Sequence, residues 1–113
     1  MKKYSVKITI QAREHLKAIK QDYKFSSPKA AKEHLQELKE QMRSLTLMPQ
    51  RIKLTEEEPW RSLGIHQMII KPYYVYFWID ESNKTVQIIA IINISRNQYS
   101  QLKRVIRIIQ PNN

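Results

Sequence analysis

Two apolar stretches, Tyr73 to Ile79 and Val86 to Ile94, are separated by the polar run Asp80-Glu81-Ser82-Asn83-Lys84 and Thr85. The first is unbroken in aromatic and β-branched residues, which suits a central strand buried on both faces. The polar pentapeptide supplies a hairpin turn, and the second stretch follows as another central strand. A chain holding two such strands is committed to an antiparallel sheet that other elements must cover.

The flanking segments complete the plan. Ile65 to Ile70 reads as a strand, interrupted at Pro72 because proline offers no ladder donor. Near the N-terminus, Tyr4, Val6, Ile8 and Ile10 alternate with Ser5, Lys7 and Thr9, the period of a strand with one buried face. From Gln11 the period lengthens, and Ala12, Leu16, Ile19 and Tyr23 share one helical face. Ser26-Ser27-Pro28 is a helix start, with Ser27 as N-cap and Pro28 at the first helical position. Ala31, Leu35, Leu38, Met42 and Leu45 then recur at steps of four and three, a stripe that ends before Pro49. The two helices, joined by a short polar connection, should form an antiparallel hairpin. Gln50 to Pro59 reads as a loop whose tract Glu56-Glu57-Glu58 is solvated. Gln98 to Ile109 returns to helical spacing, with Leu102, Val105, Ile106 and Ile109 on one face and Lys103, Arg104 and Arg107 off it.

The resulting order is β-α-α-β-β-β-α. It predicts an α+β fold: an N-terminal strand, a helical hairpin, a three-stranded antiparallel meander completing one sheet, and a C-terminal helix. The helices are expected against one face of that sheet, and the 113 residues, 1–113, as a single domain.

Composition narrows the function classes. A hydrophobic fraction of 42% and two tryptophans fit an ordered globule rather than a basic tail. Cysteine is absent, which excludes disulfides and thiolate metal sites and points to a reducing, cytoplasmic setting. The opening Met1-Lys2-Lys3-Tyr4 lacks the apolar region of a signal peptide. No apolar stretch approaches the roughly 20 residues that span a bilayer. Twenty Lys and Arg against ten Asp and Glu give a formal net charge of +10, and the excess is not confined to one tract. A small domain with such a surface is suited to a polyanion or an acidic protein partner.

Several segments together carry a family likeness. They are the element order, Pro59-Trp60-Arg61-Ser62-Leu63-Gly64-Ile65, Val75-Tyr76-Phe77-Trp78-Ile79-Asp80-Glu81 and the strand end with Arg96. Tyr4-Ser5-Val6-Lys7-Ile8-Thr9 followed by Ala12-Arg13-Glu14, and Leu45-Thr46-Leu47-Met48-Pro49 closing the second helix, belong to the same set. In this combination the chain resembles the RelE/ParE superfamily of bacterial type II toxins, over nearly its whole length. The resemblance implies a small basic toxin held inactive by an antitoxin encoded beside it. RelE-like members enter the ribosomal A site and cut messenger RNA, whereas ParE-like members poison DNA gyrase. Shared fold does not choose between these targets. Ribosome-dependent mRNA cleavage is the first expectation; a gyrase inhibitor that acts by binding, or a degenerate non-catalytic relative, is the alternative.

Metal-free RNA cleavage needs the 2′-hydroxyl deprotonated, the leaving 5′-oxygen protonated and the phosphate charge stabilised. The resemblance assigns phosphate contact to Arg96, just past the last central strand, where a guanidinium binds with two donors and stays charged. His66 stands where relatives carry arginine or lysine. As base or phosphate contact it is chemically open, and as a half-buried, satisfied histidine it is equally so. Lys71 and Arg61 are the expected substrate contacts, or else solvated rim charges. Tyr99 offers a phenol or a stacking face, or else an anchor for the last helix. Two positions depart from the family pattern, because Tyr73 and Ser95 stand where arginines are usual. His15 and His34 are expected to face solvent, and Trp78 and its neighbouring tyrosines to pack the sheet. No His, Asp or Glu pair has metal-ligand spacing and no glycine-rich phosphate loop exists, so no metal or other cofactor is expected.

Overall fold

The computed structural model describes residues 3–23 and 27–109, without the side chains of residues 22, 23, 108 and 109. Strand β1 (Ser5–Ile8) leads into helix α1 (Ile10–Tyr23), and α2 (Pro28–Arg43) returns beside it. Two short 3-10 turns, Ser44–Thr46 and Pro49–Arg51, precede the meander β2 (Ile65–Ile70), β3 (Tyr73–Asp80) and β4 (Thr85–Asn93). Helix α3 (Gln98–Ile109) follows. The sheet order is β1-β4-β3-β2, with β1 parallel to β4 and the other pairs antiparallel. Both apolar stretches are therefore central strands, as their composition demands.

Local chemistry explains the boundaries. The strand expected to reach Ile10 stops at Ile8, because Thr9 caps the first helix. Its hydroxyl accepts the Ala12 N–H at 3.3 Å and its carbonyl accepts the Arg13 N–H at 2.9 Å. Ser27 caps α2 through its hydroxyl on the Ala30 N–H at 3.2 Å, with Pro28 in the first turn. Ser26 and the side chains of Tyr23 and Ile109, parts of the expected helix start and apolar stripes, lie outside the described residues. Gly64, at φ +82°, ends the turn that opens β2 with a backbone that side-chain-bearing residues rarely adopt.

Two apolar layers cover the sheet, one on each face. On the first, Ala12, Ile19, Leu38, Met42 and Leu45 of the hairpin side pack against Met68, Val75, Phe77, Val86, Ile88 and Ile91. On the second, Leu102, Val105 and Ile106 of α3 pack with Trp60 against Ile65, Tyr76, Ile89, Ala90 and Ile92. The expectation that all helices share one face is thus corrected. Strands β3 and β4 are apolar on both sides, and a hairpin can cover only one of them. A bulge helps: Phe77 pairs with Ile88 and Tyr76 with Ala90, so Ile89 is an extra residue. Ile89 and Ala90 consequently both join the layer under α3.

Candidate functional site

At one end of the sheet two turns lie side by side. Lys71 and Pro72 link β2 to β3, and residues 94–97 lead from β4 into α3. The Ile94 N–H donates to the Pro72 carbonyl at 2.9 Å and ties the two turns together. Lys71 and Arg96, one in each turn, are both exposed. Among the described residues the one ion pair is Lys84–Glu81, so neither cation is neutralised by a carboxylate.

The backbone beneath Arg96 is rigidly held. The Asn93 carboxamide oxygen accepts from the Ser95 N–H at 2.9 Å and the Ser95 hydroxyl at 2.8 Å. Gln98 Nε2 donates to the carbonyls of Asn93 and Arg96 at 2.8 and 2.9 Å. Gln98 Oε1 in turn accepts the Tyr76 phenol at 2.9 Å, and the phenol oxygen accepts from Gln67 Nε2 at 3.0 Å. A hydrogen-bond chain thus runs from β2 through β3 and the start of α3 to the Arg96 turn. Burial pushes the Tyr76 phenol above its ordinary pKa, against the opposing pull of the Gln67 hydrogen bond, so it stays a protonated donor. Register foretells part of this chain: Gln67 pairs with Tyr76, which places both on one face. The role of Gln98 has no signal in the sequence.

The remaining expected site residues lie elsewhere. His66 is on the opposite face of β2, stacked on Phe77 with ring centroids 4.9 Å apart and planes 7° from parallel. Its Nδ1 stands 2.8 Å from the Ile52 carbonyl, a contact that Nδ1 satisfies by donating its proton. Tyr99 packs on Trp60, with centroids 5.6 Å apart, while keeping 44% of its surface exposed. It tethers α3 to the turn that opens β2. Arg61 lies in that turn, exposed, with its N–H on the Glu57 carbonyl at 3.0 Å. The fold therefore brings Lys71 and Arg96 together, sets Tyr99 against the residue before Arg61, and leaves His66 on the hairpin face.

Four further expectations are revised or refined. His15 does not face solvent: its Nδ1 accepts the Ile91 N–H of β4 at 3.0 Å, and burial lowers its pKa. His34 is partly buried rather than fully exposed. Glu58 is exposed but engaged. Its carboxylate accepts the Ser62 N–H at 2.9 Å, and the hydrogen bonds from Ser62 hold its pKa below the usual carboxylate value, aided by Arg61. Trp78 is 41% exposed and, with Leu63, Ile65, Ile89 and Ile106, lines an apolar cavity of about 440 Å³.

A second cavity, about 780 Å³, follows the outer edge of β2 and is lined in part by Gln67, Ile69, Tyr76 and Gln98. Residues 53–55 cover the start of that edge, with the Thr55 N–H on the Ile65 carbonyl at 2.9 Å and the Gln67 N–H on the Lys53 carbonyl at 3.1 Å. Beyond Gln67 the cover ends, and Ile69 is 60% exposed. Among the described residues, no three His, Asp or Glu side chains gather as metal ligands, and no helix is long and apolar enough to cross a membrane.

Residues 6–98 match the family described as ParE toxin of type II toxin-antitoxin system, parDE. Among solved structures the fold is similar to the chromosomal ParDE toxin-antitoxin system from P. aeruginosa. That match has 24% identity and a TM-score of 0.66, covering 80% of this chain and 95% of that one. It is also similar to the RelBE2 toxin-antitoxin complex from Mycobacterium tuberculosis, at 22% identity and TM-score 0.60, covering 80% and 98%. The archaeal RelE–RelB complex from Pyrococcus horikoshii OT3 matches at 20% identity and TM-score 0.57, covering 86% and 100%. At these identities the structures speak for the fold alone. No curated protein matches the chain.

Proposed function

Because this chain belongs to the ParE toxin family of type II toxin-antitoxin systems, we propose that it arrests growth by binding DNA gyrase and is neutralised by an antitoxin encoded beside it. The whole chain, residues 1–113, acts as one cytoplasmic domain. One observation carries the choice of target: the groups that acid–base cleavage of RNA would need do not converge. His66 spends Nδ1 on the Ile52 carbonyl and its ring on Phe77, on the face opposite the α3 layer. Tyr99 is committed to Trp60. General acid–base catalysis requires the proton carriers within hydrogen-bond reach of one phosphate. A toxin that works by binding has no such requirement. For it, the exposed cations Lys71, Arg96 and Arg61 serve as contacts on an anionic target surface.

The test is direct. Purified protein added to gyrase should block supercoiling of a relaxed plasmid, and induction in cells should stall replication before protein synthesis falls. Early loss of translation, with mRNA fragments ending in cyclic phosphate, would overturn the proposal.

Ribosome-dependent mRNA cleavage is the second reading, favoured by the pairing of the Lys71 and Arg96 turns. Two uncompensated cations on adjoining turns suit a phosphate. In that reading the 2′-hydroxyl attacks in line, the 5′-oxygen leaves, and a cyclic phosphate remains. His66 and Tyr99 are its candidates for proton transfer, and Lys71 and Arg61 its substrate contacts. The cyclic end group distinguishes the two readings.

A further inference from the structure

The apolar cavity beside Trp78 takes no part in either reading of the target. It lies on the α3 face of the sheet, lined by Ile106 of α3, Leu63 of the turn before β2, and Ile65, Trp78 and Ile89 of the sheet. The Trp78 ring packs over Gly64, where an added Cβ would stand 3.6 Å from it. Trp78 and Leu63 nevertheless stay 41% and 40% exposed, which leaves apolar surface in the cavity open to water.

The polar groups around this cavity are all able to donate. Sheet register sets Lys7 opposite Gln87, Gln87 opposite Trp78 and Trp78 opposite Ile65, one row on one face. Adjacent strands are about 4.8 Å apart, so Lys7 borders the cavity from β1, next to the lining residue Gln87. Lys7 is exposed, and among the described residues the one ion pair is Lys84–Glu81, so no carboxylate neutralises it. Among the described residues the Gln87 carboxamide and the Trp78 indole N–H have no hydrogen-bond partner. Thr9, also in the lining, accepts the Ala12 N–H at 3.3 Å on its hydroxyl and keeps its own proton for a further acceptor. No carboxylate lines the cavity. Asp80, one row farther along this face, holds its oxygens on the Ser82 hydroxyl at 2.9 Å and the Asn83 amide at 2.8 Å.

We infer that this cavity binds a small aromatic monoanion, a flat apolar body carrying one carboxylate or sulfonate group. Size and lining set the body. About 440 Å³ is the volume of a small-molecule site, and a ring laid against Trp78, Leu63 and Ile106 leaves water together with them. The donors set the head group. An anion can accept from the Gln87 amide, the Trp78 N–H and the Thr9 hydroxyl while the Lys7 ammonium attracts it. A cationic ligand would meet repulsion from Lys7, and a purely apolar one would cover the Gln87 amide without matching it.

The test titrates the full-length protein with two dyes of one shape, 8-anilino-1-naphthalenesulfonate and its uncharged analogue N-phenyl-1-naphthylamine. Both brighten on leaving water. Each should saturate at one site per chain, the sulfonate at least about tenfold more tightly. Gln87→Glu keeps the side-chain shape but sets a like charge beside the head group and engages Lys7. It should weaken the sulfonate at least about tenfold and leave the uncharged dye within about twofold. Trp78→Ala removes an apolar wall and should weaken both dyes at least about tenfold. Thermal melts of both variants should match the parent; if either fails to fold, Lys7→Gln and Leu63→Ser, at exposed positions, carry the charge and apolar arms instead. Sulfonate binding indifferent to both substitutions would put the dye on the basic surface at large and overturn the site. Equal affinity of the two dyes for the parent, or equal losses from Gln87→Glu, would overturn the anion assignment. Lack of saturable binding by either dye would overturn the cavity as a ligand site altogether.

Discussion

His15 offers the sharpest test of how the fold is held together. Strand β1 pairs with β4 only as far as Ile8 opposite Ile88, and the Thr9 N–H closes that ladder on the Ile88 carbonyl at 3.0 Å. Farther along β4, the Ile91 N–H loses its strand partner, and His15 Nδ1 takes its place at 3.0 Å. Ile91 is buried, so an unmatched donor there would cost about 1–3 kcal/mol. Only a neutral imidazole can accept this bond, and burial already lowers the His15 pKa from its ordinary 6.5. The sign follows from proton binding. Between the folded and unfolded pKa values the unfolded chain holds more protons, so stability rises with pH. The contribution is complete above about pH 6.5 and is lost as pH falls through the lower folded value. Urea titrations at pH 8 should show His15→Ala destabilised by that same 1–3 kcal/mol, a midpoint lower by about 1 M. Between pH 7.5 and 5.5 the parent should lose stability more steeply than the variant. Equal slopes, or a variant as stable as the parent at pH 8, would refute the assignment of His15 as the cap of β4.

Tyr76→Phe keeps the ring but deletes the phenol between Gln67 and Gln98. It should cost about 1–2 kcal/mol by denaturation and raise hydrogen exchange at Ser95 and Arg96, whose turn Gln98 holds. Gly64→Ala meets Trp78 only at an ordinary 3.6 Å, so its cost is the left-handed backbone, about 1–2 kcal/mol and visible as a lower melting temperature. Arg96→Ala removes an exposed side chain from a turn held by Asn93 and Gln98. Stability should stay within about 0.5 kcal/mol while growth arrest weakens; full toxicity would take Arg96 out of the site.

How much of this was readable from residue order differs by feature. The apolar runs at Tyr73 and Val86 led to the central strands because no other setting buries both sides of a strand. The period change after Ile10 marked α1, though the side-chain cap at Thr9 pulled its start forward into the expected strand. The His15 bond was half written: residues 12, 15, 16 and 19 form one helical face, which puts the imidazole toward the core. What it would meet there was not.

Sequence alone determined the element order, the family and the cationic surface, since periodicity, capping and charge are local properties of the chain. Tertiary structure decided the rest. It sent α3 to the second face of the sheet, because a strand apolar on both sides needs two layers. It divided the expected site, because neighbouring residues of a strand point to opposite faces: His66 went to the hairpin side and Gln67 to the α3 side. It joined Lys71 to Arg96 across 25 residues of chain through the Ile94–Pro72 hydrogen bond. Only closing the meander into a sheet brings such distant turns into contact.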